Sequence, residues 1–152
     1  MLTFFYMHGR GHELPATLEW VASVLKTRAY TEGTLYYFGG DTFLFFLSRL
    51  LHVAPDVRER LGTLYAARVL ERSGADGDAQ QLAMRVIAGA AAGIRMLVDY
   101  ERLVSMQEED GSFPMGWAYK HPSSGLLFGN KGWSTALAAQ AIQAFQTFRG
   151  DV

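Results

Sequence analysis

Cysteine is absent from the 152 residues. With it go disulfides, thiolate zinc sites, iron–sulfur clusters and cysteine nucleophiles. Charge is sparse and balanced, with 14 Lys and Arg against 15 Asp and Glu and a formal net charge of −1. No diffuse basic field exists to draw in nucleic acid or an anionic membrane surface, so neither is expected as a partner. Long apolar runs are missing as well. Residues 42–48 and 86–94 form runs too short to span a bilayer, and the opening ten residues lack the basic leader and extended apolar stretch of a signal peptide. These absences lead to the expectation of a cytoplasmic chain without a transmembrane segment. What the chain does have is apolar mass: 49% of its residues are hydrophobic and 13% aromatic. Residues 1–152 are therefore expected to form one domain that buries most of its unfolded surface.

Helical periodicity dominates. Leu14, Leu18, Val21 and Leu25 recur every three to four residues after Pro15, whose missing N–H suits a first turn, and predict an amphipathic helix over about residues 16–28. Residues 41–51 carry Phe43, Leu44, Phe45, Phe46, Leu47, Leu50 and Leu51 around nearly the whole circumference, which implies burial on all sides. A third, half-exposed helix starts at Pro55, shows Val57, Leu61, Leu64, Tyr65 and Val69 on one side, and stops at Gly74. Asp76-Gly77-Asp78 turns into a fourth, whose residues 82–94 are small or apolar except for Arg85. Leu97, Tyr100 and Val104 mark a two-faced fifth helix ending by Gln107. Gly, Pro and Ser crowd residues 108–132, and an uncharged sixth helix follows over residues 134–148.

Exposed helices thus alternate with buried ones, which points to an all-α fold of helical hairpins in an outer and an inner layer, half of an (α/α)6 toroid. Residues 34–38 are the only β-prone stretch, and Gly39-Gly40 ends it. A weak internal repeat supports the hairpin reading. Glu32-Gly33-Thr34-Leu35-Tyr36-Tyr37 and Asp110-Gly111-Ser112-Phe113-Pro114-Met115 share acid, Gly, hydroxyl and bulky apolar residues in order, each between an exposed and a buried helix.

Gln107-Glu108-Glu109-Asp110-Gly111-Ser112-Phe113, together with residues 129–138, resembles the Gln-x-x-Asp-Gly-Ser-Trp repeat of the terpenoid cyclase and protein prenyltransferase superfamily, with Phe113 in place of Trp. The likeness covers the last third well and the first third faintly. It implies a structural role for Gln107, Gly111 and Phe113, the Gln amide meeting unpaired N–H groups at a helix start while the ring packs beneath. Class II terpene cyclases protonate their substrate from an Asp-x-Asp-Asp motif, and Asp78-Ala79-Gln80-Gln81 resembles that place with the catalytic pair replaced by Gln. Prenyltransferase zinc chemistry needs a Cys that is not here. The family's ring has six hairpins against three in this chain, so a homodimer completing the ring, a longer parent chain, or closure of three hairpins on themselves all stay open.

Tyr36, Tyr37, Phe38, Trp117, Tyr119, Phe128 and Trp133 fall in or beside the loops that lead to inner helices, where that family's pocket mouth would lie. Of these, Tyr36, Tyr37, Trp117, Tyr119 and Trp133 are the candidate substrate-binding residues. Aromatic walls suit isoprenoid chains and stabilise carbocations by about 0.5–2 kcal/mol per ring, although ordinary packing uses the same residues. Asp41, Asp78 and Asp110 are the candidate acids, and in a dry pocket their carboxyls would rise toward a general acid's pKa. Helix capping accounts equally for Asp41 and Asp78, and a turn for Asp110. Glu108, Glu109 and Asp110 keep an α/α-barrel glycosidase as an alternative. His8, His12 and Glu13 lie among glycines that fix no metal geometry, Arg10, Lys120, His121 and Lys131 are scattered cations, and residues 129–132 lack a phosphate-loop pattern. No metal or cofactor is expected. The function expected is a terpene-cyclase-like domain that binds an isoprenoid or similar apolar molecule and, if catalytic, cyclises it as an isomerase; the rival is an inactive toroid domain for lipid binding or protein assembly.

Overall fold

Prolines and small polar residues punctuate the described residues into seven α-helices and a single 3-10 turn at Gly11–Glu13. In a computed structural model that describes residues 1–37 and 39–148, the helices are α1 (Leu2–Met7), α2 (Pro15–Thr27), α3 (Gly40–Val53), α4 (Pro55–Leu70), α5 (Ala79–Ala91), α6 (Leu97–Ser105) and α7 (Lys131–Thr147). Pro15 and Pro55 each open their helix at the position where an amide hydrogen has no partner. The fold is all-α, as expected, with two additions. Leu2–Met7 is helical although its six residues are too few to show a period. Trp117–Lys120 (β1) and Leu127–Gly129 (β2) pair antiparallel, so the strand is not where β propensity placed it. Residues 34–37 instead form a turn in which the Thr34 hydroxyl accepts from the Tyr36 and Tyr37 N–H groups at 3.2 and 2.9 Å. That turn lies beside β1, whose Lys120 N–H donates to the Tyr36 carbonyl at 2.8 Å.

Helix α5 is the centre. Ten of its thirteen residues are buried, and it packs against α3, α4, α6 and α7. Gly39 meets Gln81, and Thr42 meets Met84, at the starts of α3 and α5. Further along, the Tyr65 hydroxyl of α4 lies 3.3 Å from the Leu44 carbonyl and 3.2 Å from that of Ala88, so α3 and α5 run parallel. The starts of α5 and α7 meet around Gly116, whose N–H donates to Ser134 Oγ at 2.9 Å. Past the end of α5, Arg95 lies over the Phe145 ring near the end of α7, which is also stacked on Tyr100 at 3.8 Å. Helices α3, α5 and α7 are therefore parallel, while α2 lies against α4, α4 against α3 and α5, and α6 against α5 and α7. Helix α7 departs from the expected interior character: Trp133, Ala136 and Gln140 face outward, and lack of charge reflected cheap exposure of alanine rather than burial. No helix among the described residues is long and apolar enough to cross a membrane.

A buried ionic cluster ties these layers together. Arg85, 1% exposed, donates from Nη1 to Asp99 at 2.7 Å and from Nη2 to the Asp76 carbonyl at 2.8 Å, and its Nε lies 3.3 Å from Asp41. Arg72 grips the same Asp41 with two 3.1 Å bonds, and Asp99 accepts the Gly74 N–H at 3.0 Å. Tyr65 adds a pH dependence. Burial pushes its phenol up from the ordinary value, so the folded state keeps it neutral where the unfolded state ionises it. Its contribution is complete below about pH 10 and is lost as pH rises further. Wild-type stability is expected to fall more steeply than that of Tyr65→Phe between about pH 10 and 12 in urea titrations; parallel curves contradict this.

Candidate functional site

Three helix starts share one end of the molecule, and the loops above them are stitched down by short polar contacts. Asp78 caps α5 in a reciprocal box: its Oδ1 accepts the Gln81 N–H at 3.0 Å, and the Gln81 side chain accepts the Asp78 N–H at 3.1 Å. Asn130 caps α7 by accepting the Trp133 N–H at 2.9 Å. The second Asp78 oxygen reaches across to β1, where it accepts the Trp117 N–H at 3.0 Å. Thr135 Oγ1 accepts the Phe113 N–H at 3.0 Å. Glycine makes this stitching possible. A Cβ on Gly39 would come within 2.5 Å of Gln81 Nε2, and one on Gly116 within 2.5 Å of Gln80 Cβ.

The aromatic residues gather at this end but do not line one pocket. Tyr36 stacks on Tyr119 with ring centroids 5.7 Å apart, and Tyr119 meets Phe128 at 5.8 Å. Trp117 begins β1 beside them, more than a third exposed. Tyr37 turns the other way, into an apolar cavity of about 330 Å³ between α2 and α3, walled with it by Trp20, Val24, Tyr30, Phe43 and Phe46. Tyr30 and Phe43 stack there at 5.2 Å. An adjoining hollow of about 250 Å³ shares Trp20, Phe43 and Phe46 and continues toward Leu2 and Leu50. Trp133 lines a separate groove of about 250 Å³ between α3 and α7. Phe38 lies outside the described residues.

The three acids hold different positions. Asp41 is not a cap, because α3 starts one residue earlier at Gly40; it is fully buried and committed to Arg72 and Arg85. Asp78 spends both oxygens on backbone N–H groups. Asp110 is exposed in a turn, and bonds from the Ser112 hydroxyl and then the Ser112 N–H hold its carboxyl below the usual range, the reverse of the shift a dry pocket imposes. Glu108 pairs with Lys131 at that same exposed turn, so Glu108 and Asp110 flank one lysine instead of facing each other across a cleft. Arg10 clasps Glu13 through two 2.7 Å bonds. Asp78→Ala is expected to cost about 1–2 kcal/mol by urea titration, and Asp78→Asn less, because the Asn oxygen still accepts the Gln81 N–H while its NH2 cannot accept the Trp117 N–H. Equal losses for the two would contradict the capping role.

The repeat residues are tied differently from expectation. Gln107 donates from Nε2 to the Gly111 carbonyl at 3.0 Å and so closes its own turn instead of reaching the next helix. Gly111 has φ +81°, the left-handed region that glycine enters at least cost. Gly33, at the equivalent point of the first repeat, has φ +73°. Phe113 is buried as the resemblance implies. Gln80, which stands where that resemblance places an acid, is also buried, and its Oε1 has no hydrogen-bond partner among the described residues. Periodicity did not single out the cavity walls at Trp20 and Val24, and it placed Phe46 in an all-round buried helix and not at a cavity. A second apolar row on α2, with Trp20 and Val24 one step off the Leu14–Leu18–Val21–Leu25 stripe, was the available signal.

Comparison with known proteins gives one relationship. Over 144 residues the chain is 42% identical to drimenol cyclase drtB of Aspergillus calidoustus. The alignment takes in 93% of this chain and 27% of that protein, so the chain spans about a quarter of the length of the curated relative it matches. No protein-family model matches the chain, and no solved structure matches it significantly. The identity supports a terpene-cyclase-like relationship for the aligned region.

Proposed function

We propose, from the relationship to a protein named drimenol cyclase, that this chain forms a helical part of a terpene-cyclase-like protein and that the cavity between α2 and α3 receives an isoprenoid chain. The observation that carries this reading is the cavity itself. Its volume of about 330 Å³ lies at the lower end of small-molecule sites, and its walls are aromatic and aliphatic with Thr34 and Thr42 as polar side chains. Trp20, Tyr30, Tyr37, Phe43 and Phe46 line it with aromatic rings, which shelter apolar hydrocarbon and suit positive charge developing on it. Parallel α3, α5 and α7, backed by α2, α4 and α6, correspond to three hairpins of an α/α toroid, which a second copy or further hairpins would close.

Binding is assigned to this chain, and proton donation is not. Asp41 is held by two guanidiniums, Asp78 by two backbone N–H groups, and Asp110 is exposed with its proton affinity lowered. Gln80 and Gln81 carry no acidic proton. These occupied carboxylates favour, as the second reading, a non-catalytic toroid domain that binds lipid or supports assembly.

The test is a fluorescence titration of the chain with farnesol, an uncharged isoprenoid, using Trp20 as reporter. Saturable quenching that disappears in Trp20→Phe is expected, with affinity at least tenfold weaker in the cavity-filling variant Val24→Phe. Absence of saturation, or equal affinity in Val24→Phe, overturns the reading.

A further inference from the structure

We propose that Asp76 is a site of covalent modification, at which the chain converts to isoaspartate through a cyclic imide formed with Gly77. Two aspartates are followed by glycine, Asp76 and Asp110, and glycine is the least hindered neighbour whose main-chain nitrogen can reach the preceding carboxyl. The structure treats the two pairs oppositely. At 110 both reacting groups are occupied: the Gly111 N–H donates to the Glu108 carbonyl at 2.9 Å, and the Asp110 carboxylate accepts the Ser112 N–H at 2.9 Å and the Ser112 hydroxyl. At 76 both are free. The Gly77 N–H has no acceptor among the described residues, and the Asp76 side chain is fully exposed, with Arg102 Nη2 3.8 Å away.

Arg85 activates the free pair. Its Nη2 donates at 2.8 Å to the Asp76 carbonyl, which belongs to the same peptide unit as the Gly77 nitrogen, so a buried cation draws electron density from that unit and makes its N–H more acidic. Packing holds glycine in place: a Cβ on residue 77 would lie 2.5 Å from Arg85 Nη2 and 2.9 Å from Gln81 Oε1. The Gly77 nitrogen attacks Asp76 Cγ, a C–N bond forms, and the carboxyl hydroxyl leaves with the amide proton as water. Water then opens the imide at either carbonyl, returning aspartate or leaving isoaspartate with no net change in atoms. The isoaspartate chain runs through Cβ and is one bond longer, and the carbonyl that Arg85 holds becomes a carboxylate. That change falls two residues before the Asp78 cap, which also holds the Trp117 N–H, so the modification acts on the loop that fastens β1.

Folded chain kept in heavy-oxygen water near neutral pH tests this, because each opening of an imide leaves one heavy oxygen at that aspartate. After digestion in ordinary water, the tryptic peptides ending at Arg85 and at Lys120 report positions 76 and 110 separately by mass, with isoaspartate resolved from aspartate by chromatography. Label and isoaspartate are expected to build up at 76 at least about tenfold faster than at 110, since three hydrogen bonds within residues 108–112 must open before the second site reacts. In concentrated urea the two rates are expected to converge. Asp76→Glu changes a fully exposed side chain and cannot close the five-membered ring, so it is expected to fold normally and to lose the label from its peptide, which separates position 76 from Asp78. Label retained in that variant, equal labelling of the two sites in the folded chain, or protection of both by folding overturns the proposal.

Discussion

Arg85→Met is expected to destabilise the chain by about 3–5 kcal/mol, because it strips a hydrogen-bonded guanidinium from between two buried carboxylates. Asp41 and Asp99 are each fully buried at the side chain. Asp41 keeps Arg72, but Asp99 is left with only the Gly74 N–H as a partner for its charge. The loss extends to the mouth of the helices. Arg85 also holds the carbonyls of Ala75 and Asp76, three and two residues before the cap at Asp78, so its removal frees the loop that positions the cap and its Trp117 contact. A domain of this size is stable by about 5–15 kcal/mol, so the variant should show a much lower urea midpoint, and Arg85→Met combined with Asp99→Asn should recover part of the loss. A change below about 1 kcal/mol would contradict a structural role for this cluster.

Phe113→Ala should cost about 3–5 kcal/mol, the range for emptying a buried aromatic site. The ring is 2% exposed and is the anchor by which residues 108–116 enter the core. Its own N–H is fixed to Thr135, three residues beyond which Ala138 is fully buried in α7. Loss of the ring leaves a cavity and releases the strand that carries Trp117 and Tyr119, so far-ultraviolet circular dichroism should persist at low temperature while the thermal midpoint falls. A Phe113→Leu chain, which keeps most of the apolar volume, should lose less than half as much. If alanine and leucine behave alike, packing of the ring is not what secures the loop.

Much of this architecture was legible because long helices announce themselves by period. Leu14 to Leu25, Phe43 to Leu51 and Val57 to Val69 each located a helix to within a few residues, and the near absence of charge after Asp78 foretold the burial of α5. Helix α1 is too short to carry a period, and β1–β2, four and three residues long in a Gly- and Ser-rich stretch, is specified by contacts with Asp78 and Tyr36 that lie far away in sequence. The cap at Asp78 was readable from local preference. Asp41 was not, because its partners Arg72 and Arg85 come from other helices. The aromatic residues of the 34–37 turn and of β1 were correctly grouped at one end, yet only Tyr37 faces the α2–α3 cavity. Trp20 and Val24 escaped notice, and Phe46, expected to be buried, is 46% exposed, because periodicity tells which face is apolar and not whether a neighbour covers it.

Photo-crosslinking with a farnesyl alcohol carrying a diazirine tests the central claim most directly. Peptide mapping is expected to place the label on residues 20–30 and 42–46, the two walls of the cavity, with competition by unlabelled farnesol. Label confined to the outer surface of α4 or α6, or labelling that unlabelled farnesol fails to suppress, would contradict an isoprenoid site between α2 and α3.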